Sequence, residues 1–222
     1  MIVSIARELG AGGGTLGEAL ATSIGAALLD ERWFLDQVTA RYQYTSDFVA
    51  RRLEEPPNLS ESFIATLARS TVMSPGASAL TLPDEQIIEA VRALVLEQAA
   101  RGHVVVIGHG VSMLGWRPAG IRVLAILLQA GREWRIDQLA RRMGIAHAEA
   151  ERRIKTTDKA RVRYQQHYFN ANLYDCKLYD LVLNSERLGL PSVVALATQA
   201  MQTILNEREA IPERVATVGE RS

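Results

Sequence analysis

The chain has 222 residues, with 25 Lys and Arg set against 25 Asp and Glu. A length in this range suits one domain with a sizeable core. The charge balance excludes a whole-surface attraction to nucleic acid or to an anionic membrane, so any anion site must be assembled locally. Cys176 stands alone and has no internal disulfide partner, which points to a reducing, cytoplasmic setting and a structural thiol. No apolar run approaches the roughly eighteen residues of a spanning helix. The opening Met1-Ile2-Val3-Ser4-Ile5-Ala6-Arg7 lacks the basic start and long apolar stretch of a signal peptide.

Ile2 to Ala6 is a short apolar run of the kind buried on both faces of a parallel sheet. A glycine cluster follows from Gly10. Leu16, Ala19, Leu20 and Ser23 then set a helical rhythm that Gly25 stops. Ala27 to Leu29 is a second short strand, closed by Asp30. From Glu31 to Leu82 the pattern is helical and interrupted. Trp33, Phe34, Val38 and Tyr42 have helical spacing, Glu55-Pro56-Pro57-Asn58 is a break, and Ser60 to Val72 reads as another helix. Pro83-Asp84 opens a helix that ends near Arg101-Gly102. His103 to Ile107 is β-branched at almost every position and is a strand. Val123 to Leu128 is another strand. Arg132 to Met143 is a helix, Gly144 breaks it, and Ala146 begins a long charged helix to about Tyr168. Leu181 to Leu183 and Pro191 to Asn206 are the last strand and helix; the tail after Pro212 frays. Alternating strands and helices predict one α/β domain, 1–222, with an open parallel sheet between two layers of helices.

The segment Arg7-Glu8-Leu9-Gly10-Ala11-Gly12-Gly13-Gly14-Thr15 joins the first strand to the first helix. Glycines let a backbone approach a ligand closely. The helix that follows aims unpaired N–H groups and its positive dipole end at the same place. A phosphate cradle and a plain tight turn both fit such a run; its position beyond the carboxyl end of a strand favours the cradle. Against the Walker pattern G-x-x-x-x-G-K-[ST], aligned on Gly12, Arg7 takes the first Gly position, Gly13 takes the Lys and Gly14 takes the Ser/Thr. Thr15 falls one residue late. It is a candidate for phosphate or magnesium, or a ligand-free first-turn residue. Arg7 is a candidate for the missing charge.

Five segments occur here in the order in which they occur in cytidylate kinase-like proteins: the glycine loop, Val105-Val106-Ile107-Gly108-His109-Gly110, Arg132-Glu133-Trp134-Arg135-Ile136, Asp158-Lys159-Ala160-Arg161 and Tyr179-Asp180-Leu181-Val182-Leu183-Asn184. The chain resembles that family from residue 1 to about 205, least across 40–82. The resemblance implies a P-loop NTPase-type three-layer α/β/α fold with a five-stranded parallel sheet. It further implies a helical acceptor-side insertion at about 31–82 and an arginine-bearing lid at about 132–168. It implies an ATP- and Mg2+-dependent transfer of a γ-phosphoryl group to a nucleoside monophosphate, CMP or dCMP first. The partners would be nucleotides, with no nucleic acid or membrane and with a homodimer left open. Members of this branch often lack the Walker lysine, as Gly13 does.

On that resemblance, Arg7, Gly10, Ala11, Gly12, Gly13, Gly14 and Thr15 would hold the donor phosphates, and Thr15 the metal. Arg135 and Arg161 match arginines that contact phosphates in those kinases and would stabilise the transferring group. Asp158, one turn before Arg161, would orient it or form an ordinary helical pair. Asp30 and His109 would lie on the acceptor side, although Asp30 equally suits a helix N-cap. In the resembled kinases the position of His109 is usually arginine. Arg141, Arg142, Arg152 and Arg153 alternate with Glu149 and Glu151 and read as a solvated helix face. Tyr164, Tyr168, Phe169, Tyr174 and Tyr179 read as packing rings before base-stacking ones. His103, His147 and His167 have no metal-ligand spacing. Two alternatives stay open: a nucleotide-binding sensor or scaffold without catalysis, and a kinase of a different small acceptor.

Overall fold

Ile2, Val3, Ser4, Ile5 and Ala6 are all buried, which places their strand, β1 (Ile2–Arg7), in the interior of a sheet. In the computed structural model β1 is the middle strand of five. The others are β2 (Ala27–Leu29), β3 (Val104–Ile107), β4 (Val123–Gln129) and β5 (Leu181–Asn184), in spatial order β2-β3-β1-β4-β5. The structure describes residues 1–42, 84–114, 116 and 121–206. Every pairing is parallel. Ile2 lies opposite Val104 on one side and opposite Val123 on the other, and Arg7 is level with Leu128. The fold is the expected P-loop-type α/β/α arrangement.

The pleat sorts the side chains by parity. Val3, Ile5, Val105, Ile107, Leu124, Ile126 and Leu128 point to one face, where α1 (Gly13–Ile24) and α7 (Leu190–Asn206) cover them through Leu16, Leu20, Val193, Ala197 and Met201. Ile2, Val104 and Val106 point to the other, under α2 (Glu31–Tyr42) and α3 (Asp84–Ala99), with Phe34, Val91, Leu94, Val95 and Trp116. Farther along that face Ala6, Ala125 and Leu127 meet Leu173 and Tyr179. A separate small core joins α4 (Arg132–Met143) to α5 (His147–Phe169) through Ile136, Leu139, Ala140, Ala150 and Ile154, and Leu9 of the glycine loop packs against it.

The helices and strands fall within one or two residues of the sequence reading. Gly25 and Gly144 end α1 and α4 in the left-handed conformation, and Asn170 ends α5 in the same way. The sequence reading did not anticipate the short α6 (Ser185–Leu188) or the 3₁₀ turns Val111–Met113 and Cys176–Leu178. Asp180, ambiguous in the sequence, has a structural task. Its carboxylate accepts the Ala125 N–H at 2.8 Å and its own N–H donates to the Ala125 carbonyl at 2.8 Å, extending the β4–β5 pairing by one residue. The expected helix at Ser60–Val72, and residues 43–82 of the acceptor-side insertion, lie outside the described residues. So does the tail.

Strand order places the site. The chain adds β2 and β3 on one side of β1, then crosses to add β4 and β5 on the other. The crevice around such a reversal, beyond the carboxyl ends of the strands, is where open α/β sheets take ligands. Close packing of α1 on the sheet brings the glycine loop to that crevice. A Cβ added at Gly17 would lie 2.5 Å from Ile107 Cδ1. A valine there overpacks this contact, and Gly17→Val lowers stability by about 1–3 kcal/mol in urea denaturation.

Candidate functional site

The loop turns from β1 into α1 at Gly12, whose φ of 91° is left-handed and suits glycine alone at little cost. α1 then begins at Gly13 with no side-chain cap, so its first N–H groups are left for a ligand. They border a cavity of about 410 Å³ over the ends of β1 and β3, lined by Gly10, Gly12, Gly13 and Gly14 of the loop, by Arg7 and Arg161, and by Asp30, Glu31 and His109.

Two arginines dominate the charge. Arg161, on α5, donates from Nη1 to the Arg7 carbonyl at 3.0 Å and lies 3.8 Å from Asp158 Oδ1. Its pKa is lowered first by burial, against the pull of Asp158 and Glu31. Arg7 extends from the end of β1 across the face of Gly13, where a Cβ would lie 2.9 Å from Arg7 Cγ. Its guanidinium then reaches the Cα of Gly108. Among the described residues it makes no hydrogen bond or ion pair. Burial, then repulsion from Arg161, pushes the Arg7 pKa down to about 9, only partly offset by Glu31 and Asp30. A group in this condition is stabilised by an incoming anion. The carboxyl of Glu31 is held above its usual range by burial, while Arg7 and Arg161 draw it down.

Arg135 sits elsewhere. It is 6% exposed and does not line the cavity. Its Nε donates to the Ala130 carbonyl at 3.0 Å and its Nη1 to the Leu9 carbonyl at 3.1 Å. Asp158 Oδ2 accepts from the same Nη1 at 2.5 Å, and Glu8 Oε2 is 3.4 Å from Nε. Asp158 Oδ1 accepts the Leu9 N–H at 2.9 Å. Glu8 in turn accepts the Ala130 N–H at 3.0 Å and the Tyr174 hydroxyl at 3.2 Å. This network fixes the glycine loop to α4 and α5. It gives Arg135 a positioning task rather than the phosphate contact expected from the sequence, because every direction of its planar fork is already taken.

The remaining expected residues divide in the same way. Asp30 borders the cavity, and its Oδ1 accepts the Trp33 N–H at 2.8 Å, so it does cap α2. His109 borders it too, in a left-handed conformation with φ 58° and with its ring against Phe34 at 4.5 Å. Burial, then Arg7 and Arg161, push the imidazole down to about 3, so it is neutral at physiological pH. Ala11 is turned into the core beside Leu16 and Leu20. Thr15 requires a correction. It is exposed on the first turn of α1 and is not part of the cavity wall. One residue beyond the Walker position rotates a side chain about 100° around the helix, away from the phosphates. Of the aromatic rings, Tyr164 faces the cavity and donates to the His109 carbonyl at 3.3 Å, while Tyr179 donates to the Leu173 carbonyl at 2.9 Å.

The sequence reading missed Arg142 and Glu31. Arg142 lies in the last turn of α4 and crosses to the loop, 3.8 Å from where a Gly14 Cβ would be. Its spacing of seven from Arg135, two turns on the same helix face, was the available signal. Glu31 was taken only as a helix-start residue. Among the described residues, no group of three or more His, Cys, Asp or Glu forms a metal cluster.

This is a P-loop-type α/β domain with a phosphate-binding loop on its central strand. The chain belongs to the cytidylate kinase-like family, whose model matches residues 2–187. It is similar to a cytidylate kinase of Ignicoccus hospitalis, 31% identical over 116 residues that cover 52% of this chain and 65% of that relative. It is also similar to a cytidylate kinase of Methanopyrus kandleri, 33% identical over 89 residues that cover 40% and 46%. The match thus spans less than two thirds of these relatives. A solved structure of an uncharacterized protein from Eubacterium ventriosum shares the fold, with a TM-score of 0.62 and 14% identity over 94% of this chain and 99% of that one.

Two outcomes follow from the geometry. Arg135→Met strands Asp158 and Glu8 in a nearly buried network and lowers stability by about 3 kcal/mol in chemical denaturation. His109 carries a pH signature. Its folded pKa lies below the value near 6.5 of the unfolded chain, so the unfolded chain takes up the proton first as pH falls. Its contribution to stability is full above pH 6.5 and is lost progressively toward pH 3. His109→Asn, which keeps a residue suited to positive φ, removes roughly 1–2 kcal/mol of the stability difference between pH 7.5 and pH 5. Denaturation midpoints at the two pH values test this.

Proposed function

We propose that the protein is an ATP- and magnesium-dependent nucleotide kinase that transfers a γ-phosphoryl group to a nucleoside monophosphate, with CMP or dCMP first among acceptors. The observation that carries the proposal is the meeting of the uncapped start of α1 with Arg7 and Arg161 in one cavity. Phosphoryl transfer asks little covalent chemistry of a protein; it needs the phosphates aligned and their charge balanced. The N–H groups of Gly13 and Gly14 hold donor oxygens from the helix end. Arg161, oriented by Asp158 and by the Arg7 carbonyl, stabilises the charge that spreads over the transferring group. Arg135 keeps loop and hairpin in register and does not touch substrate. Asp30, Glu31 and His109 border the side on which the acceptor enters.

The residues present fit a magnesium ion bound largely through phosphates and water. The cavity offers the carboxylates of Asp30 and Glu31, and magnesium commonly takes only one or two protein carboxylates. When bound, the ion bridges phosphate oxygens and neutralises part of their charge.

His109 favours a second reading. A neutral imidazole gives weaker recognition of a phosphate dianion than the arginine expected there, and this suits an acceptor other than CMP. ADP formation from ATP and magnesium, measured over a panel of nucleoside monophosphates with a no-acceptor control, separates the readings. The expected result is acceptor-dependent turnover, greatest with CMP or dCMP, that falls about a thousandfold in Arg161→Ala. Turnover with none of the panel, by protein that binds ATP, would sink the nucleotide kinase reading in favour of a binding module or another acceptor.

A further inference from the structure

The loop lacks the lysine that would reach the outer donor phosphates, and Gly13 stands in its place. The surroundings of Gly13 give a physical reason. A Cβ built there would lie 2.9 Å from Arg7 Cγ, 3.1 Å from its Cβ and 3.1 Å from its Cδ. The Arg7 stem therefore fills the volume through which a side chain at 13 would leave the helix. Its guanidinium continues over Gly108, where a Cβ would collide with Nη1. One glycine makes room for the stem and another for the head. Arg7 ends in the cavity with no hydrogen bond or ion pair among the described residues, although a guanidinium carries five donors. Its neighbour Arg161, by contrast, is engaged by Asp158 and by a backbone carbonyl.

We propose that Arg7 replaces the missing lysine in space, reaching the β- and γ-phosphates of the donor from the central strand instead of from the helix. Gly13 is glycine because the Arg7 stem occupies the lysine's path. The proposal rests on the nucleotide kinase reading and deepens it. A strand residue held in the ladder between β3 and β4 is a stiffer mount than the first turn of a helix. A planar fork can also bind two phosphate oxygens together, which an ammonium cannot do.

The test is calorimetric titration of the full chain with ATP and with ADP, in magnesium and without acceptor, so that binding is read apart from turnover. Three variants are compared: Arg7→Met, which keeps the stem and removes the charge; Gly13→Lys, which restores the Walker residue with Arg7 still in its path; and the exchange Arg7→Gly with Gly13→Lys. Loss of a charged hydrogen-bonding partner weakens ATP and ADP binding by roughly 10- to 100-fold in Arg7→Met. Gly13→Lys is also expected to weaken it, and the exchange variant to regain most of the loss. Wild-type affinity in Arg7→Met, or tighter binding in Gly13→Lys alone, would overturn the proposal while leaving the kinase reading intact. No binding of ATP by the wild-type chain at millimolar concentration would overturn both. Thermal melting without ligand checks that each variant is folded; should the exchange variant fail to fold, Arg7→Met alone decides.

Discussion

Asp158 takes the Leu9 N–H on one carboxylate oxygen and the Arg135 guanidinium on the other. That single side chain joins the glycine loop, α4 and α5, and most of the site follows from it. The loop has few side chains of its own with which to hold a shape. Its path is set from outside, by Arg135 donating to the Leu9 carbonyl and by Glu8 accepting from Ala130. Arg161 lies one turn beyond Asp158 on the same helix and is thereby delivered to the Arg7 carbonyl. The α4–α5 hairpin is thus pinned at its base against the loop, and its far turn at Gly144 is the end without such a tie.

The network satisfies its own charges and leaves others unsatisfied where a ligand enters. Around Arg135 each guanidinium donor that the described contacts involve meets a carbonyl or a carboxylate, so the buried cation is compensated. Across the loop, Arg7 and Arg161 are sheltered from water and repel one another, and Glu31 and Asp30 only partly offset the pair. Burying charge without a partner costs stability. A bound polyphosphate returns that cost as affinity, because it supplies the missing counter-charge in a setting where water screens poorly.

The fold was legible because its signals are local and redundant. Val104 to Ile107 is buried on both faces and so is apolar at every position, and Gly25 and Gly144 end their helices by the left-handed turn that glycine favours. The loop was legible as a cradle, and Arg7 was found as a candidate charge by alignment alone. The roles were harder to read, since they depend on contacts between residues far apart in the chain. Nothing near Arg135 in sequence announces that Leu9, 126 positions away, accepts from it. Thr15 has a suitable hydroxyl, and only the turn of α1 excludes it. Arg142 was assigned to a solvated face because its neighbours alternate in charge, yet the last turn of α4 carries it over Gly14. Residue type and spacing give the local conformation; the direction of a long side chain is decided by whatever packs around it.

The two departures from the expected kinase pattern, Gly13 for lysine and His109 for arginine, have one electrostatic cause. Two unit charges 5 Å apart at an effective dielectric of 20 repel by about 3 kcal/mol. Arg7 and Arg161 already share the cavity, and both push the proton off His109, after burial itself. A third fixed cation at 109 would meet that repulsion from both before any ligand arrived. With the donor-side charge carried on the strand by Arg7, close to Gly108, the next position is better filled by a ring that stays neutral and packs on Phe34. Moving one charge from the helix to the strand thus accounts for both the vacancy at 13 and the neutral residue at 109.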